Sequence, residues 1–249
     1  MNYYGFAHPL RAFLGRKDLV LESVEIQADE LAAWLAEARG KMPWQNALSQ
    51  LNLLDSHDTP RFLTMVDGDV QLMKLGVVML MCYVGTPCVY YGDEVRVNPP
   101  PDFRLGHVRL MQVGLEGGND PDCRRCFPWH DQPSWNLELL QHYQALIRLR
   151  RESACLQSGS IVDLYAQGDV YCFARFDSDT VWIVAINRGE GVDSLPLADI
   201  NLLSATKLSV QALLSSSEVS QLVWDEERAG LLLTLESKGF LVATMAVTD

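Results

Sequence analysis

The run Leu53-Leu54-Asp55-Ser56-His57-Asp58-Thr59-Pro60-Arg61 sets a histidine and a carboxylate side by side, just past a short apolar segment with strand character at 52–55. In a parallel sheet or barrel, the carboxyl end of a strand is where active sites are built. A carboxylate there can stabilise positive charge developing on a substrate, and an adjacent histidine can donate to a hydroxyl. The plainer reading is that Asp58 caps a helix starting at Thr59-Pro60 and His57 packs beside it. Cys123 and Cys126 have C-x-x-C spacing. A zinc site would need a second ligand pair, and no comparable C-x-x-C or H-x3-H follows. Free thiols are therefore expected, with no metal and no cofactor.

The elements that must carry these residues follow an α/β rhythm in the first half. Leu31, Trp34, Leu35 and Ala38 fall at i, i+3, i+4 and i+7, which predicts a helix capped by Asp29 and ended by Gly40. Pro43 is placed to start another helix through Trp44, Leu48 and Leu51. Residues 52–55 read as a buried strand, Thr59-Pro60 as a helix start, and Asp69 as the cap of the next helix. No charged residue lies between Lys74 and Asp93. That length raises the question of a membrane span, but Gly85-Thr86-Pro87 breaks it in the middle. A buried helix over 75–84 leading into a buried parallel strand over 87–91 accounts for it better.

Residues 92–134 hold a proline triplet at 99–101 and several glycines, so they read as a long functional or mobile loop. An amphipathic helix is predicted over 135–151, with Leu139, Leu140, Tyr143, Leu146 and Ile147 on one side and arginines in its last turn. Beyond 155 the pattern changes to strands, at 170–176, 180–187, 231–235 and 240–247, with turn residues between them. This predicts an antiparallel β-sandwich after a boundary near 153–158.

The chain has 249 residues, 48% of them hydrophobic and 21% charged, in the range of folded globular proteins. Thirty-two acidic side chains against twenty basic ones give a formal charge of −12. Such a surface repels phosphate backbones and anionic lipid, so neither nucleic acid nor membrane is an expected partner. A neutral sugar is compatible with it. Six scattered cysteines and no secretory leader after Met1 fit a reducing, cytoplasmic setting.

His57-Asp58 behind an apolar strand resembles the fourth conserved motif of the α-amylase family, family 13 of the glycoside hydrolases. Gly85 to Glu94 looks like that family's eighth barrel strand and following turn. The segment from Gly117 to Arg125, followed by Phe127-Pro128-Trp129, is similar to the substrate loop of the maltodextrin-acting subgroup. That subgroup includes maltodextrin glucosidases, cyclomaltodextrinases, neopullulanases and maltogenic amylases. Residues 1–6 with Pro9-Leu10 resemble the sixth-strand region, nearest to the maltodextrin glucosidases, and 185–189 the carboxy-terminal β-domain.

The resemblance implies retaining hydrolysis of α-glucosidic bonds in maltodextrins, with two carboxyl groups roughly 5 Å apart doing the covalent and proton-transfer work. It makes Asp58 a third acid that grips hydroxyls of the scissile ring in the transition state. It makes His57 a hydrogen-bond donor to that ring, and Asp120 and Arg124, four apart, holders of a terminal glucose. An arginine fork suits paired hydroxyls, while the ordinary alternative for Asp-x-x-x-Arg is a surface salt bridge. The nucleophile and acid/base, which the family carries on strands four and five, have no counterpart here. The chain thus reads as starting after strand five: α/β plus all-β, with about the last three strand–helix units of a (β/α)8 barrel over 1–153 and a β-sandwich over 154–249. On that basis the isolated chain is expected to be inactive. The apolar strands at 52–54 and 89–91 would have to pair with the missing half or with another copy. Residues 95–113 read as an inserted solvated loop. The alternative is a non-catalytic maltodextrin-binding remnant or a subunit of a split protein.

Overall fold

A computed structural model describes residues 1–18, 22–95, 122–124, 126–127, 129–197, 208–225 and 230–247. The predicted insertion at 95–113, apart from Val95, and the candidate ligand Asp120 lie outside the described residues. The chain divides into two compact units. The first contains Met1–Ile26, Trp34–Met81 and Gly85–Leu149; the second contains Gln27–Ala33, Cys82–Val84 and Arg150–Asp249.

The first unit begins helically. Tyr3–Ala7 and Arg11–Gly15 are π-helical turns on either side of α1 (His8–Leu10). This corrects the expectation of a strand region here. Phe6, Leu10, Phe13 and Leu14 are buried and repeat at helical spacing, so burying them as one stripe requires a helix. The Asn2 side chain accepts the Gly5 N–H at 3.1 Å and caps the start. Two further helices, α2 (Ala28–Gly40) and α3 (Trp44–Leu48), come next. The predicted cap Asp29 lies inside α2; the reciprocal contact is Glu30 Oε2 accepting the Gln27 N–H at 2.8 Å. Pro43 is the residue before α3 rather than its first turn, and Leu51 has already left it.

Strand β1 (Leu51–Leu53) pairs in parallel with β2 (Thr86–Cys88), Leu51 opposite Thr86 and Leu53 opposite Cys88. Between them run α4 (Phe62–Met65) and α5 (Val70–Cys82). Asp69 Oδ1 accepts the N–H groups of Gln71 and Leu72 at 2.9 and 3.2 Å, the predicted cap of α5. The uncharged stretch is thus helix then strand, but the strand is shorter than the expected 87–91 and is not buried. Among the described residues no helix is long and apolar enough to cross a membrane. Gly76 of α5 lets the helix approach Phe62: a Cβ there would stand 2.6 Å from its ring. Gly85, with φ +127°, makes the turn into β2, and a Cβ there would meet the Asn52 amide at 2.5 Å. Asn52, Leu53 and Leu54 are buried, whereas Leu51, Val89 and Tyr91 are exposed. Helix α6 (Leu137–Glu152) buries Leu139, Tyr143 and Leu146. Its Glu138 pairs with Lys74 of α5, and His142 Nε2 lies 3.1 Å from the Lys74 carbonyl.

The second unit holds α7 (Ala154–Ser158) and two antiparallel sheets. One has the order β3 (Ser160–Gln167), β4 (Val170–Phe176), β5 (Val181–Asn187), β10 (Phe240–Val247), β7 (Leu208–Ser215). The other has the order β6 (Val192–Pro196), β9 (Gly230–Leu235), β8 (Gln221–Asp225). Inward residues of both sheets form one cluster that includes Val170, Cys172, Ile183, Leu231, Leu233, Leu235 and Leu241. Arg175, on β4, is fully buried. Its guanidinium donates to the carbonyls of Cys82, Leu156 and Gly159 at 2.9, 3.0 and 2.8 Å. It supplies the donors that helix carboxyl ends lack.

Candidate functional site

Because β1 and β2 run in the same direction, the turns that follow them, Ser56–Thr59 and Tyr90–Asp93, leave the sheet at the same edge. The first of these turns is braced by its own side chains. Ser56 N–H donates to Thr59 Oγ1 at 3.0 Å, and Asp58 N–H donates to Ser56 Oγ at 3.0 Å. The Tyr3 hydroxyl lies 2.7 Å from Ser56 Oγ. The backbone of 56–59 is therefore fixed while the His57 and Asp58 side chains stay open, 44% and 57% exposed. The capping alternative fails on geometry. Helix α4 starts at Phe62, and its first N–H is taken by Asp55 Oδ2 at 2.6 Å, not by Asp58.

Asp58 Oδ1 lies 3.1 Å from His57 Nε2 and 3.5 Å from Arg124 Nη2. Three of the four residues singled out in the sequence, His57, Asp58 and Arg124, thus meet through their side chains. Nearby in sequence, Trp129 is 69% exposed; its ring stands 4.3 Å from that of Phe127 and 6.2 Å from that of Trp135, centroid to centroid.

Beneath this surface lies a charged cluster. Arg61 Nη1 donates to Asp93 Oδ1 at 2.9 Å and to the Tyr91 carbonyl at 2.6 Å, and its Nη2 reaches the Cys123 carbonyl at 3.3 Å. The guanidinium lies over the rings of Tyr90 and Tyr91, at 4.0 and 4.8 Å from their centroids. Arg11 donates to the Leu54 carbonyl at 3.0 and 2.8 Å and to Thr59 Oγ1 at 2.9 Å. Burial lowers its pKa to about 10, partly offset by Asp55. Both carboxyls are buried, and burial raises both pKa values, that of Asp93 well above the usual carboxylate range, with the Asp55 charge adding to it. Asp55 Oδ1 is buried and lacks a donor when both groups are ionised. A proton held between the two acids would supply one, in the direction that burial and their mutual charge push the Asp93 pKa.

None of Asp55, Asp93, Arg61 or Arg11 was singled out as a site residue in the sequence. Asp55 and Asp93 are far apart in the chain and meet only because β1 and β2 pair. The available signal was an ionisable residue ending an apolar run at each place. Cys123 is buried and donates its thiol to the His57 carbonyl at 2.9 Å, whereas Cys126 is exposed; both are free thiols. Among the described residues no group of three or more His, Cys, Asp or Glu could hold a metal ion.

Residues 1–159 match the model of the α-amylase catalytic domain. The chain is 32% identical over 197 residues to a cyclomaltodextrinase of Geobacillus thermopakistaniensis, which covers 76% of this chain and 30% of that enzyme. It is 40% identical over 169 residues to neopullulanase 2 of Thermoactinomyces vulgaris, covering 67% of this chain and 26% of that enzyme. Among solved structures, the Nostoc punctiforme debranching enzyme aligns at a TM-score of 0.78 and 32% identity, covering 98% of this chain and 47% of that one. The chain thus spans less than half the length of these relatives. With this match over more than half of its residues, and the histidine–aspartate turn at the carboxyl end of a parallel strand, the chain belongs to the α-amylase family.

Proposed function

We propose that this chain is the carboxy-terminal part of a retaining glycoside hydrolase that cleaves α-glucosidic bonds in maltodextrins. In this reading Asp58 stabilises the oxocarbenium-like transition state, His57 donates to a hydroxyl of the same ring, and Arg124 with Asp120 holds a terminal glucose. The observation that carries it is the convergence of His57 Nε2 and Arg124 Nη2 on Asp58 Oδ1, on an open surface at a strand's carboxyl end. The Asp58 carboxylate opposes positive charge on the anomeric carbon. The imidazole supplies a donor to a hydroxyl of that ring and the guanidinium supplies donors to the terminal glucose, so the charge is already oriented when the bond breaks.

In the same reading, residues 1–153 are the last strand–helix units of a (β/α)8 barrel, and 154–249 are a β-sandwich. The parallel β1–β2 pair and the two antiparallel sheets around one apolar cluster support that division. The cysteine usage fits a cytoplasmic location. The nucleophile and acid/base come from a segment this chain does not carry. The maltodextrin glucosidase-like specificity rests on residues 1–10 alone. The relatives named above are cyclomaltodextrinases, neopullulanases and debranching enzymes, and the specificity of the whole protein is to be read from its products.

The alternative is a non-catalytic maltodextrin-binding protein. Calorimetric titration of the chain with maltotetraose tests the binding reading. Binding that weakens in Arg124→Ala and Asp58→Asn supports it, and binding unchanged in both refutes it. Hydrolysis rates on adding the upstream barrel segment in trans separate the two functions. Restored turnover supports the hydrolase, and its absence in a stable reconstituted complex supports the binding protein.

A further inference from the structure

Cys123 and Arg61 tie together three turns that the chain brings from distant positions. Cys123 donates its thiol to the His57 carbonyl at 2.9 Å. Its own carbonyl accepts from Arg61 Nη2 at 3.3 Å and from the Tyr90 hydroxyl at 3.1 Å. Arg61 reaches onward to the Tyr91 carbonyl and to Asp93, with its plane over both tyrosine rings. The next residue after Cys123 is Arg124, whose side chain is 46% exposed and meets Asp58. A 3.5 Å contact on a half-exposed arginine is weakened by solvent competition and opposed by rotamer entropy. The buried residue beside it, Cys123, is held by hydrogen bonds at both its thiol and its carbonyl and so fixes the backbone from which Arg124 projects.

We propose that Arg61 and Cys123 act as positioning residues that set the separation between Asp58 and Arg124. Neither touches substrate. The guanidinium fork spans the β2 turn and the Cys123 carbonyl, and the thiol closes the link to the His57–Asp58 turn. Lysine cannot replace Arg61 here: one ammonium keeps the charge facing Asp93 but not the planar fork or the stacking. Serine can replace Cys123, because a hydroxyl donates to the same carbonyl.

This inference rests on the reading that Asp58 and Arg124 grip a sugar, and its test has an arm that does not use sugar. The His57 ring signal in the NMR spectrum of the full chain reports the arrangement around Asp58. Cys123→Ala is expected to move that signal in the direction that Arg124→Ala moves it, and Cys123→Ser to return it. For maltotetraose, losing one such hydrogen bond corresponds to about fivefold weaker binding in Cys123→Ala. Arg61→Lys is expected to weaken binding by at least as much. In an Arg124→Ala background both effects should vanish, since nothing is left to position. A merely structural role would lower the melting temperature but leave affinity and the His57 signal of the folded chain unchanged, and that result overturns the proposal. Equal losses with and without Arg124 overturn it as well. If Arg124→Ala itself leaves sugar binding intact, the sugar reading fails, and the His57 signal still decides the positioning claim.

Discussion

Replacing Asp93 with Asn should remove a pH dependence that the wild-type chain carries in its core. Asp93 and Asp55 are both buried beside Arg61, and burial together with their mutual charge raises the Asp93 pKa well above the usual carboxylate range. A carboxyl with a raised folded-state pKa keeps its proton in the native chain at pH values where the unfolded chain, with an Asp pKa of about 4, has released it. The stabilisation is therefore fully present below about pH 4 and is lost as pH rises toward the folded-state pKa. The slope is about 1.4 kcal/mol per pH unit for one proton. For a chain of this length, where 1 kcal/mol moves the melting temperature by about 2–4 °C, that is about 3–6 °C per pH unit. An amide at position 93 donates an N–H to Asp55 at every pH and still accepts from Arg61 through its oxygen. The assay is thermal unfolding of both proteins at pH steps from 4 upward. The melting-temperature difference, variant minus wild type, should grow in the variant's favour as pH rises. His142 pushes the opposite way over part of this range, because burial lowers its pKa to about 4 and native stability falls as pH drops below about 6.5. It does so equally in both proteins and cancels in the difference. Parallel melting curves across the range would refute the shared proton.

Other perturbations have equally definite outcomes. His142→Gln keeps a donor for the Lys74 carbonyl without titrating, so melting below pH 6.5 should flatten relative to wild type. Gly85→Ala places a Cβ against the Asn52 amide at a positive φ, and chemical denaturation should show a loss of about 2 kcal/mol or more. Arg175→Met strips the donors from the Cys82, Leu156 and Gly159 carbonyls; a loss of about 3 kcal/mol or more is expected, and a neutral result would mean that water replaces the guanidinium. The isolated chain should not release glucose or maltose from maltotriose, because an Asp58 carboxylate alone cannot supply the covalent step. Turnover that survives further purification would contradict this.

The parts of the fold that were legible in the sequence are those where one local rule decides. Asp69 caps α5 because a short acceptor precedes an apolar helical run, and β4, β5, β9 and β10 follow from apolar runs between turn residues. The helical turns at residues 3–15 carry their period in Phe6, Leu10, Phe13 and Leu14, but the likeness of residues 1–10 to a strand region points the other way. The ends of α2 and α4 shifted for a different reason. Several short polar residues stand near each start, and which one caps is decided by the path of the chain: Glu30 with Gln27 in one case, Asp55 in the other. At the candidate site, His57 and Asp58 stand out by type and position and Arg124 by the family resemblance, and the structure brings the three side chains together. The Asp55–Asp93–Arg61 cluster was not legible, since no local pattern says that two acids far apart in the chain will meet under a parallel strand pair. Asp120 lies outside the described residues, and its place beside Arg124 remains part of the proposal.

Whether Asp58 stabilises the transition state of the proposed maltodextrin hydrolase is read from kcat and KM for a short maltodextrin in the active, reconstituted enzyme bearing Asp58→Asn. The amide keeps the size and the hydrogen bonds to His57 and Arg124 but removes the charge that opposes an oxocarbenium-like state. Because Phe62 is capped by Asp55, the melting temperature should hold. The expected result is a fall in kcat of about two to three decades, about 3–4 kcal/mol, with a much smaller change in KM. Near-normal kcat in a variant of unchanged stability would contradict the claim and remove Asp58 from the chemistry.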